Sequence, residues 1–186
     1  GIKSRKFKKN LSNTTMDPIQ LSIILSNLKK HNINNVIMEA SSHGLSQNRL
    51  DGLSFNTGIF TNLSQDHMDY HKNMKAYLKA KLYLFEQLIK KNGNIITDEK
   101  ISEYKQIKKI ASNKNLNLFS LLDKKNNFQF LSHQFDNEAQ LLELKYNNST
   151  HKIKLNLIGK IQLKNILMAI IAAIKSNISI KDIFKV

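Results

Sequence analysis

Carboxylate and imidazole side chains follow two apolar segments that are expected to be neighbouring strands. Glu39 comes directly after a short apolar run, and His67 comes a few residues after a second one. In open α/β sheets ligands bind outside the carboxyl ends of the strands, so Glu39, Ser41, His43 and His67 should line one crevice. A carboxylate together with an imidazole suits a divalent metal ion. The alternative is that Glu39 and His67 are ordinary solvated loop residues.

Lys81 lies within the apolar stripe of a helix predicted over about 72–91. The stripe recurs at helical spacing and consists of Met74, Tyr77, Leu78, Leu82, Phe85, Leu88 and Ile89. The solvated side of the same helix carries Lys72, Lys75, Lys79 and Lys90. Burial of a lysine amine favours its neutral, nucleophilic form, which can add carbon dioxide and become a carbamate, an anionic oxygen ligand. The competing interpretation is a lysine whose stem packs while its ammonium group reaches water.

The pattern that must position these residues is an alternation of strands and helices. It predicts an α/β fold with a mainly parallel sheet flanked by helices. Asp17-Pro18 is a typical helix start. The predicted elements of this part are a helix over 18–30, strands at 36–38, 55–61 and 94–97, and helices at 72–91 and 99–113.

Beyond residue 116 the pattern changes to short strand-like runs between clusters of Asn, Lys and Asp. These runs predict a small antiparallel β section near 116–158. A helix over 160–176 follows, and a last short helix starts at Ser179. Residues 1–12 are basic without periodicity and are predicted as a loop.

Composition limits the function classes. The chain has 186 residues and no Cys, which excludes a disulfide scaffold, a cysteine-ligated zinc site and a thiol nucleophile. Its net charge of +15 raises nucleic acid as a partner, but Arg5 and Arg49 are its only arginines and the lysines are dispersed along the chain. We therefore expect no nucleic-acid partner. No apolar run approaches the roughly 20 residues that span a bilayer, and no secretory signal is present, so we expect no membrane partner and a cytosolic location.

Four short motifs in order make the sequence similar to a known family. They are Asn13-Thr14-Thr15-Met16-Asp17-Pro18, Met38-Glu39-Ala40-Ser41-Ser42-His43-Gly44-Leu45-Ser46-Gln47-Asn48-Arg49, Thr61-Asn62-Leu63-Ser64-Gln65-Asp66-His67-Met68-Asp69-Tyr70-His71, and Met74 with Tyr77 and Ala80-Lys81. Together they resemble the central domain of the Mur ligases, and within that family the MurE type. The resemblance is strong over 13–98 and weaker to the end of the chain.

The resemblance implies an ATP- and Mg²⁺-dependent ligase of peptidoglycan synthesis. Such an enzyme adds the third peptide residue, meso-diaminopimelate or L-lysine, to UDP-N-acetylmuramoyl-L-alanyl-D-glutamate through an acyl phosphate. Matching positions imply magnesium ligands at Glu39 and His67, a carbamylated and catalytic Lys81, and an adenine contact at Asn165. The residues implied to bind the UDP-muramoyl dipeptide are Asn13, Thr14, Thr15, Ser41, Gln47 and Arg49. Gln162 departs from the Asn that is usual in the adenine segment.

The family's phosphate loop is absent from this sequence. The only Gly-Lys pair, Gly159-Lys160, lacks the earlier glycine and the following Ser or Thr of such a loop. By the resemblance, residues 1–178 are a partial central domain, and 179–186 start the connection to a C-terminal domain. The expected partners are the missing N- and C-terminal domains of the same enzyme, and we expect the fragment alone to be inactive.

Two other functions are weighed against this resemblance. One is a metal-dependent hydrolase that uses Glu39, His67 and Asp69. The other is a lysine-rich module that binds anionic polymers, which would need a clustered basic face. His67 and His71 are four residues apart, but Met68 replaces the Glu of the H-E-x-x-H zinc-protease pattern.

Overall fold

The structure, a computed structural model, describes residues 2–3, 8–9, 14–123, 128–136, 139–157 and 159–185. In chain order its elements are β1 (Ile2–Lys3), β2 (Lys8–Lys9), α1 (Pro18–Lys30), α2 (Ser42–Ser46), β3 (Phe55–Phe60), α3 (Met74–Tyr83), a π-helical turn (Leu84–Leu88), β4 (Ile89–Thr97), α4 (Tyr104–Lys114), β5 (Asn117–Ser120), β6 (Phe128–Asp136), β7 (Ala139–Tyr146), β8 (Ser149–Leu155), α5 (Lys160–Lys175) and α6 (Ile180–Ile183). The mixed α/β composition is as predicted. No helix in these ranges is both long and apolar enough to cross a bilayer.

The chain divides into two compact units, and each is built from two separate stretches of sequence. The first comprises Gly1–Ser54 and Ser64–Leu88, and the second comprises Phe55–Leu63 and Ile89–Val186. The first unit holds helices α1, α2 and α3. The second holds both three-stranded sheets and the later helices. Among the predicted site residues that the structure describes, only Asn165 belongs to the second unit.

The helices of the first unit begin at capping side chains. The Asp17 carboxylate accepts hydrogen bonds from the amides of Ile19 and Gln20, so α1 starts as predicted. Ser41 caps α2 by accepting from the amide of Gly44 at 3.1 Å. Asn73 caps α3 in the same way, with an Asn73 Oδ1 to Ala76 N distance of 2.9 Å. These caps fix where the segments that contain Ser41 and Lys81 turn into helix.

The second unit contains two sheets that share one helix. Strands β3, β4 and β5 form a parallel sheet in that order, and β6, β7 and β8 form an antiparallel meander. Both sheets contribute to a single apolar core with α5, whose buried members are Ile96, Leu121, Phe128, Leu142, Leu144, Leu163, Leu167, Met168, Ile170 and Ile171. The predicted mainly parallel sheet with an antiparallel section is therefore confirmed. The antiparallel section starts at Phe128, because 117–120 pairs parallel to β4.

Three element predictions are wrong in part. Residues 36–38 lie in no strand, and Ile37 is 99% exposed. The helix predicted over 72–91 ends in the π-helical turn at Leu88, and Ile89 already belongs to β4. Within the predicted loop 1–12, β1 and β2 form a two-residue antiparallel pair.

Candidate functional site

Thr15 joins the first two predicted motifs of the first unit through its buried hydroxyl. Its Oγ1 donates to the Glu39 carbonyl oxygen at 3.0 Å and accepts from the Ser41 amide at 2.9 Å. The same oxygen lies 2.9 Å from Ser41 Oγ. A Cβ atom added to Gly44 would lie 2.6 Å from Thr15 Cγ2, so only glycine at that position of α2 lets Thr15 approach this closely. Thr14, the neighbouring motif residue, is exposed.

Arg49 continues this hydrogen-bond network at the other end of α2. Its Nη1 donates to the Thr15 carbonyl oxygen at 2.9 Å, and its Nε donates to Gln47 Oε1 at 2.8 Å. Gln47 in turn donates through Nε2 to the Tyr70 hydroxyl at 3.1 Å. Residues that are distant in sequence therefore hold the half-buried guanidinium in one orientation. Such a rigid fork of N–H groups is suited to an anionic ligand.

His67 sits at the start of a tight turn, the turn 67–71. Its backbone adopts a left-handed conformation with φ 56°, a strained geometry that is uncommon outside glycine and asparagine. The Asp66 carboxylate accepts from the His67 amide at 2.8 Å, and the carbonyl of His67 accepts from the amides of Tyr70 and His71. The side chain of His67 is 45% exposed. The turn thus presents an imidazole to solvent from a fixed backbone.

An aromatic and imidazole cluster surrounds the turn 67–71. The His43 ring centroid lies 3.9 Å from that of Tyr70 and 5.1 Å from that of His67. The buried His71 ring stacks on Tyr77 at 5.0 Å, and its Nε2 lies 2.9 Å from Ser42 Oγ. Burial lowers the pKa of His71, and the nearby imidazoles of His43 and His67 lower it further. Burial raises the pKa of the Tyr77 phenol.

Lys81 is attached to the same cluster through Tyr77. Its Nζ lies 5.4 Å from the Tyr77 ring centroid, and the His67 ring centroid lies 5.9 Å from that ring on an edge-to-face contact. Lys81 is half-buried, whereas Lys79 is exposed, as the helical stripe predicts. Tyr77, Leu82 and Phe85 of the stripe are buried. Lys81, the predicted carbamylated lysine, and His67, the predicted imidazole ligand, therefore both lie beside the Tyr77 ring.

In the second unit, Asn165 lies in the second turn of α5 beside an ion pair whose carboxylate is buried. Lys164 Nζ is 2.5 Å from the carboxylate of Asp98, which is 2% exposed and directly follows the carboxyl end of β4. Asn165 itself is half-buried, and Gln162 is exposed. The ion pair anchors this turn of the helix to the carboxyl edge of the parallel sheet.

Comparison with protein families assigns the chain directly. Residues 2–173 match the family model described as the Mur ligase middle domain. The chain belongs to the Mur ligase family. A ligase of Zymomonas mobilis named UDP-N-acetylmuramoyl-L-alanyl-D-glutamate–2,6-diaminopimelate ligase is 34% identical over 169 residues, which cover 91% of this chain and 35% of that protein. The enzyme of the same name from Wigglesworthia glossinidia brevipalpis is 52% identical over 83 residues, which cover 45% of this chain and 16% of that protein.

Solved structures agree with the family assignment. A structure of UDP-N-acetylmuramoyl-L-alanyl-D-glutamate–2,6-diaminopimelate ligase superimposes with a TM-score of 0.78 at 25% identity, over 92% of this chain and 36% of that one. The ligase MurF from Thermotoga maritima, solved in complex with ADP, shares the fold with a TM-score of 0.55 at 12% identity, over 72% of this chain and 31% of that one. This Mur ligase chain spans about a third of the length of such relatives.

The geometry of this Mur ligase chain brings most predicted site residues into the first unit. Thr15, Ser41, Gln47 and Arg49 share one hydrogen-bond network, as described above. Glu39 joins that network through its carbonyl, and its side chain is exposed. Asn13 lies outside the described residues. The roles of all these residues toward a ligand stay predictions.

The side chains predicted to bind a metal ion, Glu39 and His67, do not form a complete metal site by themselves among the described residues. Among the described residues, no group of three or more His, Asp or Glu side chains gathers as a metal site. The alternative of a metal-dependent hydrolase that uses Glu39, His67 and Asp69 is therefore not supported. Magnesium is commonly bound by one or two protein groups, waters and the phosphates of a substrate. Glu39 and His67 both have exposed side chains, and their role toward such an ion stays a prediction.

Three residues that contact one another around the turn 67–71 and α2 were given no role from the sequence: Ser42, Tyr70 and His71. The Asp-Tyr-His sequence after His67 stood within a quoted motif, but nothing in its spacing predicts a contact with α2. The signal that was available is the concentration of three of the six histidines between 43 and 71.

Proposed function

We propose that this chain is the central part of an ATP-dependent ligase that adds an amino acid to UDP-N-acetylmuramoyl-L-alanyl-D-glutamate. The observation that supports it best is the network in which Thr15 and Gln47 hold Arg49 at one end of α2, next to the turn that carries His67. The relatives are named for 2,6-diaminopimelate, so we assign diaminopimelate, rather than L-lysine, as the amino acid added. The reaction belongs to peptidoglycan synthesis in the cytosol.

The chemistry follows from what the reaction needs. The γ-phosphoryl group of ATP passes to the D-glutamyl side-chain carboxylate, and the ATP γ-phosphorus–oxygen bond breaks to give ADP and an acyl phosphate. The amine of diaminopimelate attacks the acyl carbon, loses a proton and expels inorganic phosphate. Magnesium, when bound with ATP, neutralises the charge that develops on the phosphates. No group of this chain has to form a covalent bond with the substrate.

The residues of the chain bind and orient in this scheme. The guanidinium of Arg49 pairs with an anionic group of the UDP-muramoyl dipeptide, and the exposed Thr14 hydroxyl and the Gln47 amide supply hydrogen bonds. Ser41 caps α2 and, with Asn13 and Thr15, lies on the motifs assigned to the same ligand. Glu39 and His67 would hold the magnesium ion that accompanies ATP. Asn165 contacts the adenine.

Lys81 acts in this scheme as its carbamate. The ammonium group first loses one proton; the neutral amine then adds to carbon dioxide, where an N–C bond forms as one C=O π bond opens and a second proton leaves the nitrogen, so that a cation becomes an oxygen anion. Support for this role is the half-buried position of Lys81 beside the Tyr77 ring that also contacts His67. An anion at this position would attract a metal ion bound with ATP, whereas the ammonium form would repel it.

The test is the complete ligase, in which this chain is joined to the other domains that the family expects. Arg49→Ala should weaken binding of UDP-N-acetylmuramoyl-L-alanyl-D-glutamate, measured by titration calorimetry, by roughly 10- to 100-fold, the range for a charge-assisted contact. Lys79→Ala on the exposed face of α3 is the control that removes a cation elsewhere. Unchanged affinity in Arg49→Ala would contradict the assignment, and incorporation of L-lysine in place of diaminopimelate would contradict the choice of amino acid.

A further inference from the structure

The side-chain amide of Gln47 is oriented from both ends. Its Nε2 donates to the Tyr70 hydroxyl at 3.1 Å, and its Oε1 accepts from Arg49 Nε at 2.8 Å. Since one end of an amide only donates and the other only accepts, these two bonds exclude the flipped orientation. A flipped Gln47 would turn its NH₂ group toward Arg49, which has no acceptor to offer. Arg49, which can only donate, therefore selects the orientation of the amide, and the Tyr70 hydroxyl holds the amide in place by accepting from its other end.

Tyr70 is itself held from three directions. Its amide donates to the His67 carbonyl at 3.2 Å, its ring packs at 3.9 Å against His43, and its hydroxyl lies 3.0 Å from Ser46 Oγ. These contacts position the Tyr70 hydroxyl at the last turn of α2.

The next residue fixes the other end of the same helix. His71 is 5% exposed, and its Nε2 lies 2.9 Å from Ser42 Oγ at the start of α2. The turn 67–71 is therefore hydrogen-bonded to both ends of α2, to Ser42 at its start and to Gln47 just after its last residue. The position of the Gln47 side chain consequently depends on the turn that carries His67.

We propose that Tyr70 is a positioning residue for the UDP-muramoyl dipeptide, because its hydroxyl fixes the Gln47 amide and thereby the Arg49 guanidinium. Tyr70 acts through Gln47 and makes no contact with the ligand in this scheme. The inference rests on the proposed function, which supplies the ligand that Gln47 and Arg49 bind.

The test uses the complete ligase and the variant Tyr70→Phe, which removes only the hydroxyl. We expect the dissociation constant for UDP-N-acetylmuramoyl-L-alanyl-D-glutamate to rise about fivefold, the effect of one hydrogen bond. The KM for this substrate should rise with it, while kcat stays within about twofold of the parent value, because the chemical step is untouched. A loss of stability alone would not produce this division between KM and kcat.

A double-mutant cycle tests the route through Gln47. In the Gln47→Ala background, Tyr70→Phe should have no further effect on the dissociation constant, since the group it orients is gone. Tyr83→Phe is the matched control: it removes a phenol hydroxyl of the same unit, bonded to the Asp51 carboxylate at 2.9 Å, and should leave the affinity at the parent value.

Each remaining result overturns the proposal in a recognisable way. A parent-like affinity in Tyr70→Phe, or an equal loss in the Gln47→Ala background, refutes the positioning role and leaves the proposed function standing. If Ser46→Ala alone lowers the affinity fivefold, and Tyr70→Phe causes no further loss in that background, the effect belongs to Ser46 instead. A parent enzyme that fails to bind the dipeptide nucleotide refutes the proposed function and the positioning role together.

Discussion

The hydroxyl of Thr15 is the group whose removal should most clearly separate the hydrogen-bond network from simple packing. Thr15→Val keeps the shape of the side chain but leaves the Glu39 carbonyl and the Ser41 amide without their shared partner. Thr15→Ser keeps the hydroxyl and loses only the methyl group that packs on Gly44. The two variants therefore remove different halves of one side chain that is 4% exposed.

The losses of unfolding free energy expected for the two variants differ enough to separate the hydroxyl's role from that of the methyl group. An orphaned polar group costs about 1–3 kcal/mol when buried, and with two partly buried partners we expect a loss of about 3 kcal/mol in Thr15→Val. Loss of one buried methyl group costs about 1 kcal/mol, which is the expectation for Thr15→Ser. With a urea m-value of about 2 kcal/mol/M, the midpoints of the two variants should differ by roughly 1 M.

The assay is urea unfolding of the 186-residue chain by circular dichroism, because the sequence contains no Trp. Amide hydrogen exchange supplies a local reading: the Ser41 amide should lose protection in Thr15→Val and keep it in Thr15→Ser. Equal midpoints for the two variants, or a protected Ser41 amide in Thr15→Val, would show that the hydroxyl does not hold these segments together.

Three further predictions concern chemistry and pH. In the complete ligase, Lys81→Ala should nearly abolish activity and short carboxylic acids should restore part of it, whereas Lys79→Ala should stay active; full activity in Lys81→Ala contradicts the carbamate. The folded-state pKa of His71 lies below its unfolded value of 6.5, so the unfolded chain binds more protons than the folded chain. The free energy of unfolding should therefore decrease as the pH falls below about 6.5. Urea midpoints measured in the presence of EDTA test this. His71→Gln should flatten that slope, and the matched His31→Gln should keep it; an unchanged slope in His71→Gln refutes the assignment. The 186-residue chain alone should not hydrolyse ATP, since its sequence contains no phosphate loop, and metal-dependent release of phosphate by the purified chain would refute this.

Local signals predicted the elements that depend on local chemistry. Asp17-Pro18 fixed the start of α1 because a capping carboxylate and a proline act within one turn. The helical stripe correctly gave Lys81 a half-buried place, since the period of 3.6 residues holds along α3. The same stripe runs on through Ile89, so periodicity could not tell the end of the helix from the start of β4.

Elements and contacts that depend on a partner distant in sequence could not be predicted from local patterns. An apolar run such as 36–38 becomes a strand only where another backbone pairs with it, and no partner strand for it is present among the described residues. Helix α2 is five residues long, which is too short for any periodic signal. The contacts of Tyr70 with Ser46 and Gln47 join residues 24 and 23 positions apart, and such distances are set by the tertiary fold alone.

The division of the chain into interleaved stretches has a consequence for its synthesis on the ribosome. Strand β3 belongs to the second unit, but the sequence that follows it returns to the first unit until Leu88. Its hydrogen-bonding neighbour β4 starts only at Ile89. At about 5–20 residues per second, β3 waits roughly 1–6 s for that neighbour, with Phe60 uncovered. The nascent chain can therefore complete the helical unit first, while the apolar strand β3 stays without its neighbour in the sheet.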